Sequence, residues 1–264
     1  MEHKEVVILA ALEAGEILQK YYQKSVGFSN LKFSAKDQAG YDYVTEADFA
    51  SEKTILTTIK NHYPNHNFIL EESSTINNCS EYTWLIDPLD GTTNFLRGIP
   101  FFSISIALVK TGEIILGCVY NPASKELFFA EKRKGASLNN IKISVSSKNT
   151  LSKAIVSQSF DYSNEKRKDN LMNINSLFFN VESLRLFHST ALELCNVACG
   201  RVDAHLVSNA NSWDVAAGAF IVEEAGGKVT KFDNSSWDFK IPRIVATNKN
   251  IHTELTRKLK INFL

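Results

Sequence analysis

The sequence predicts a layered α+β fold, and three observations predict it: apolar residues at helical spacing near the N-terminus, a strand-rich block from about Phe68 to Glu131, and helix-strand alternation thereafter. That order argues against a singly wound parallel sheet. At 264 residues the chain fits one large domain of two intimately packed halves, about 1–150 (α+β) and 151–264 (α/β), with no internal repeat or low-complexity linker between them.

Val6, Val7, Ala10, Ala11, Ala14, Ile17, Leu18 and Tyr21 share one helical face and predict a first helix of about five turns, ending before the polar stretch KSVGFSN. Thr45 opens a second helix, with Asp48 three residues on placed to reach back to the cap, and Ile55, Leu56 and Ile59 form its apolar stripe before Pro64. The runs NFIL, YTWLID, FFSISIALV, IILGCVY and ELFFAE are β-branched or aromatic and separated by Gly, Pro and Asn turns, so they read as strands. AIVSQS is another strand, followed by a polar helix from about Asn164 to Phe178. Ser189 to Cys199 reads as a helix with Thr190 and Glu193 in capping-box spacing, VDAHLV as a strand, and Trp213 to Ala225 as an apolar helix closed by Gly226-Gly227. KVTKF and IVAT are short strands, and the last dozen residues close the chain as a helix.

Lys+Arg and Asp+Glu both number 29, so no overall basic field draws the chain to nucleic acid or acidic membranes; direct nucleic-acid binding is not expected. The N-terminal stretch is apolar along one face only and lacks the uninterrupted apolar run of a signal peptide or membrane span, so export is not expected. Cys79, Cys118, Cys195 and Cys199 contain no C-x-x-C pair, which argues against a structural zinc site or a disulfide framework and for a reducing cytoplasm; Cys195 and Cys199 read as core.

The chemistry concentrates in Trp84-Leu-Ile-Asp-Pro-Leu-Asp-Gly-Thr-Thr-Asn-Phe95. A strand delivers Asp87 and Asp90 from its C-terminal end, Pro88 fixes the turn, and Gly91 permits a backbone geometry that other residues resist. Two carboxylates that close repel unless a cation lies between them, and hard oxygen donors at that density favour magnesium. Glu71 and Glu72 after the NFIL strand offer a third acid, and Asp214 behind Trp213 offers a fourth. Singly, each is the kind of acid that caps a helix or shapes a turn; together they point to metal-assisted phosphoryl chemistry. No G-x-S-x-G elbow or other nucleophile motif supports a covalent intermediate.

FILEES, WLIDPLDGTTNF and SWDVAAGAFIVEEAGG closely resemble the three motif regions of the inositol monophosphatase family, among the lithium-sensitive, magnesium-dependent phosphatases, and the likeness runs from the first helix to IVATN. The resemblance implies a layered α-β-α-β-α sugar-phosphatase-like fold and hydrolysis of a small phosphorylated polyol or sugar, inositol 1-phosphate by default, by a homodimer carrying two or three Mg2+ per subunit. It implies Glu71, Asp87, the Leu89 carbonyl, Asp90 and Asp214 as metal ligands, Asp87 bridging two ions and Glu72 supporting from outside the ligand set. Thr92 and Asp48 would orient and deprotonate the attacking water, with Glu71 also catalytic. Asp90 and Asp214 would touch substrate, while the phosphate would rest on N–H groups of Gly91 and Thr92 and those near Ser189 and Thr190. Lys36 lies in a stretch that resembles a loop of the family, placed to touch phosphate or to remain a solvated surface lysine.

The sequence departs from that pattern in two places. Val207 stands where relatives acting on inositol phosphates place a Glu that bonds sugar hydroxyls, leaving Ser208, Asn209 and Asn211 as nearby polar alternatives. His188 stands where a small residue, usually Gly, precedes the helix. Asn94-Phe95 after DGTT favours the inositol-phosphatase type over the nucleotidase type. Alternatives are hydrolysis of fructose 1,6-bisphosphate or 3′-phosphoadenosine 5′-phosphate, and a transcription-antitermination contact with catalysis secondary.

Overall fold

The computed structural model describes residues 1–25, 31–36, 43–159, 164–240 and 243–259. The chain opens with α1 (His3–Ser25), β1 (Phe33–Ala35), β2 (Tyr43–Thr45) and α2 (Glu46–His62). Then follow β3 (Asn67–Leu70), β4 (Tyr82–Asp90), α3 (Thr92–Leu96), β5 (Ser103–Lys110), β6 (Glu113–Asn121), β7 (Glu126–Glu131), β8 (Gly135–Leu138) and β9 (Ile141–Ile143). The remainder comprises β10 (Ile155–Gln158), α4 (Asn164–Phe178), β11 (Ser183–Arg185), α5 (Thr190–Ala198), β12 (Ala204–Val207), α6 (Ser212–Glu224), β13 (Lys228–Thr230), β14 (Ile244–Thr247) and α7 (His252–Lys258).

Among the described residues, β3 to β9 form a seven-stranded sheet in sequence order, and β11-β10-β12-β14-β13 form a five-stranded one. Three apolar clusters stack the layers. Val6, Ala10, Leu18, Ile55 and Ile59 of α1 and α2 pack on Trp84, Ile86 and Ile106 of the larger sheet. Its other face, through Leu85 and Ala107, meets Leu194 and Ala217 of α5 and α6, which also cover Val207 and Ile244 of the smaller sheet. Leu177, Ile251 and Leu255 close the far side of the smaller sheet with α4 and α7. The layers therefore run α-β-α-β-α, and each fully buried Leu, Ile or Phe contributes about 1.5–3 kcal/mol to holding them.

Helices α5 and α6 approach closely because Gly218 has no side chain: a Cβ there would stand 2.7 Å from Leu194 Cβ. The predicted cap of α2 forms, with the Thr45 N–H donating to Asp48 Oδ2 at 2.8 Å and Thr45 Oγ1 accepting from Ala47 N–H at 3.0 Å. The capping box expected of Thr190 and Glu193 does not form. Ser189 is the cap residue of α5, and its helix-start N–H groups find an acceptor 100 residues away in the chain, a solution no local pattern encodes. The elements not anticipated from sequence, β1, β2, α3, β8, β9 and β11, have three to five residues and rest on their neighbours rather than on propensity. The final helix ends at Lys258, and residues 260–264 lie outside the described residues.

The strand FFSISIALV is interior: Phe102, Ile104, Ile106 and Leu108 are fully buried within the chain.

Candidate active site

Parallel pairing of β3 with β4 aligns Leu70 with Ile86, so the next residues along the two strands, Glu71 and Asp87, emerge side by side, and Glu71 N–H donates to the Ile86 carbonyl at 3.2 Å. The strand carrying Asp87 does not stop there, as the sequence suggests. β4 runs on to Asp90 through a register irregularity against β5 between Asp87 and Asp90, and this bulge is what admits Pro88 into a paired strand. Bulging turns Asp87 and Asp90, three residues apart, toward one pocket of about 220 Å³. Gly91 follows at φ 92°, a left-handed conformation with little strain only for glycine, and releases the chain into α3.

The pocket wall includes Glu71, Asp87, Leu89, Asp90, Gly91, Thr92, Thr190 and Asp214, all anticipated from the sequence. Asp48 is fully buried behind Thr92, whose hydroxyl lies 3.3 Å from Asp48 Oδ1 and 3.0 Å from the Leu89 carbonyl. Asp48 Oδ2 accepts from the Thr45 N–H and hydroxyl, the latter at 2.6 Å. Asp214 enters from the first turn of α6 and accepts the Asn211 N–H at 2.6 Å, so a helix-capping bond aims it.

Asp90 is the most heavily bonded acid. One oxygen accepts the Ser189 hydroxyl at 2.5 Å, the Ser103 hydroxyl at 3.1 Å and the Ala191 N–H at 2.9 Å, while the other accepts the Thr190 N–H at 2.9 Å. The Ser189 hydroxyl and the N–H of Thr190 face Asp90, whose negative charge complements the N-terminal end of α5. Ser189 is fully buried behind Asp90.

Electrostatics follow from crowding. Burial pushes the Asp87 carboxyl well above its usual range, and Glu71, Asp90 and Asp214 add like-charge repulsion. Asp214 is raised by burial and by Glu71. Asp90 rises less, to about 6, because its four hydrogen bonds oppose the burial. Burial also lifts Asp48 to about 6 against its Thr45 bonds, and lifts Glu72 to about 7 with Glu71 beside it. Lys36 spans this edge, 2.8 Å from Glu71 and 2.5 Å from Glu72, rather than lying free in solvent. Burial favours its neutral form, but the paired carboxylates outweigh that and raise its pKa above the ordinary value.

These donors fit a hard divalent cation: carboxylate side chains and Leu89 line one pocket, and the carboxylates repel one another in a way a cation relieves. Among the described residues no three acid, His or Cys side chains form a finished cage by themselves.

The neutral polar residues Ser159, His188, Asn209 and Asn211 also line the pocket, while Val207 is buried in the apolar cluster between the sheets. His188 sits at φ 59°, which explains why a small residue is expected there: the left-handed backbone costs a residue bearing Cβ about 1–2 kcal/mol. Sequence reasoning missed Ser159, a strand-end serine with no motif around it, and the hydroxyls of Ser103 and Ser189 as partners of Asp90.

Known proteins resemble this chain along nearly its whole length. The inositol monophosphatase family model matches residues 2–262. An inositol monophosphatase of Mesembryanthemum crystallinum is 39% identical, over 95% of this chain and 93% of that protein. The crystal structure of the extragenic suppressor protein suhB from Bartonella henselae superposes with a TM-score of 0.93 at 37% identity, covering 98% of this chain and 99% of that one. An IMPase/NADP phosphatase complexed with Mg2+ and phosphate superposes with a TM-score of 0.79 at 25% identity, covering 93% of each chain. An acid-lined pocket at a strand bulge, set in this five-layer fold and matched along nearly its whole length, identifies the chain as a member of the inositol monophosphatase family, a metal-dependent phosphoric monoester hydrolase.

Proposed function

We propose that this phosphatase acts on a small phosphorylated polyol, inositol 1-phosphate first among them, with two or three Mg2+ held by Glu71, Asp87, the Leu89 carbonyl, Asp90 and Asp214. The observation that carries the reading is Asp87, fully enclosed and facing Glu71, Asp90 and Asp214 in one pocket. Bound there, Mg2+ supplies charge neutralisation for the phosphoryl oxygens and acidifies water.

The chain's own groups supply the rest. Thr92 Oγ1, between Asp48 Oδ1 and the Leu89 carbonyl, positions a water, and Asp48 takes up its proton directly or through the Thr92 hydroxyl. Anchoring of Asp48 Oδ2 by Thr45 leaves Oδ1 facing that hydroxyl, and a pKa near 6 suits a group that accepts a proton near neutrality. The N–H groups of Gly91 and Thr92, where the chain turns after the bulge, receive phosphate oxygens. Asp90 and Asp214 reach the substrate from the same wall, and Glu71 fixes the water through its position beside Asp87.

Phosphate release from inositol 1-phosphate, measured across Mg2+ concentrations with and without EDTA and with added lithium, tests the proposal. Release is expected to need Mg2+, to fall with lithium and to vanish in Asp90→Asn; undiminished release in EDTA overturns the metal mechanism. A reducing cytoplasm as the working compartment is supported by four free thiols. We infer a homodimer as well, supported by the outward apolar side chains Phe178 and Phe179, 62% and 89% exposed, and tested by light scattering on the purified protein.

A further inference from the structure

A second cavity, of about 740 Å³, lies at the opposite end of α6 from the acids. Asp214 stands in the first turn of α6 and Glu224, which lines this cavity, is its last residue, about 15 Å further along the helix axis. The turn at Gly112 likewise follows the end of β5 remote from Ser103, the partner of Asp90. A cavity of this volume is of the size that holds small organic ligands.

Its apolar lining is Ile114, Phe220, Val229 and Phe239, each more than nine-tenths buried, with Trp237 beside them. The Trp237 indole is fixed at one edge, where its Nε1–H donates to Glu223 Oε1 at 2.8 Å.

The charged lining sorts by partner. Lys132 pairs with Glu113, and Glu224 is committed to the fold, accepting the Arg133 and Gly135 N–H groups at 2.9 Å each. Two acids, Glu223 and Asp238, and two bases, Arg133 and Lys228, remain, and among the described residues no ion pair engages any of the four. Glu223 and Asp238 each accept one N–H, from Trp237 and Lys240, which leaves each carboxylate with lone pairs for a further donor. A simple anion here meets Glu223 and Asp238, and a simple cation meets Arg133 and Lys228. Only a ligand carrying both charges is matched by all four.

We propose that this cavity binds a small aromatic zwitterion of amino-acid type, its ammonium directed to Glu223 and Asp238, its carboxylate to Arg133 and Lys228, and its ring to Trp237 and Phe239. The site is separate from the acid-lined pocket and does not rest on the phosphatase reading.

Calorimetric and NMR titrations of the whole protein with phenylalanine, 3-phenylpropionate and phenethylamine provide the test, since the three share a ring and differ in charge. Phenylalanine is expected to bind at least about tenfold more tightly than either singly charged analogue. Arg133→Gln, Asp238→Asn and Trp237→Leu should each weaken phenylalanine about tenfold while thermal melting and phosphate release stay as in wild type. Binding should persist in Mg2+ and inorganic phosphate, which occupy the other pocket. Equal binding of the three compounds, displacement by Mg2+ and phosphate, or no binding of phenylalanine at millimolar concentration overturns the site. Wild-type affinity in both Arg133→Gln and Asp238→Asn overturns the charge assignment. Protein that binds phenylalanine but releases no phosphate overturns the phosphatase reading and leaves this site standing.

Discussion

The Ser189 hydroxyl donates to the Asp90 carboxylate at 2.5 Å, joining residues 99 positions apart and tying the start of α5 to the end of β4. With the Thr190 and Ala191 N–H bonds, it makes Asp90 the cap of a distant helix as well as a wall of the pocket. Ser189→Ala should therefore lower stability by about 1–2 kcal/mol in chemical denaturation, the usual loss for a hydrogen bond to a charged or partly charged acceptor. Phosphate release should fall with it, because Asp90 is then held less firmly. A variant with wild-type stability shows that the remaining three bonds suffice.

Lys36 pairs with Glu71 and Glu72 at the edge of the acid cluster. A divalent cation at Glu71 is repelled by that ammonium, so Lys36→Gln should reduce the Mg2+ concentration for half-maximal activity roughly fivefold, as about 1 kcal/mol of repulsion implies. In EDTA the same variant should melt at lower temperature, having lost the counter-charge of the acids. A higher Mg2+ requirement contradicts this assignment of Lys36.

Asp87→Asn should abolish phosphate release yet stabilise the metal-free protein. Folding raises the Asp87 pKa, so the folded state holds its proton more tightly than the unfolded chain. That contribution is complete below the unfolded value near 3.8 and is lost as pH rises through the folded value. The stability gain of Asp87→Asn in EDTA should thus grow from pH 4 toward neutrality, in urea titrations at each pH. A gain that shrinks as pH rises reverses the sign and removes the repulsion argument.

Asp48→Asn and Thr92→Ala should each lower kcat by about 10²–10⁴, the range for a positioned acid-base group, while the Mg2+ dependence changes little. The double variant should be no worse than either alone, since the two groups act on one proton 3.3 Å apart. Multiplying losses indicate separate roles, and a shifted Mg2+ requirement places one of them among the ligands.

His205 reports on stability in acid. Its folded pKa is near 3 against an ordinary imidazole value of 6.5, so its contribution is complete above 6.5 and is lost as pH falls through 6.5 toward 3. Between pH 7.5 and 5, wild type should lose about 2 kcal/mol through this residue, a loss that His205→Gln escapes. Denaturation of both proteins at the two pH values measures the difference, and parallel losses locate the acid sensitivity elsewhere.

The acids of β4, Glu71 after β3, the Thr45 and Asp48 cap, and Asp214 in the first turn of α6 were legible because each depends on near neighbours: a strand end, a turn, a helix start. Helical and strand periodicity likewise determined the order of the principal elements and which faces are buried, since local spacing decides which side chains can share a face. Tertiary structure alone decided what meets across the chain. It set the N–H groups at the start of α5 against Asp90, enclosed FFSISIALV within the layers, carried β4 through a bulge to Asp90, and set Ser159 against Thr190 and His205. Those contacts join residues tens to 100 positions apart, and their geometry comes from sheet register and layer packing, which spacing along a chain does not encode.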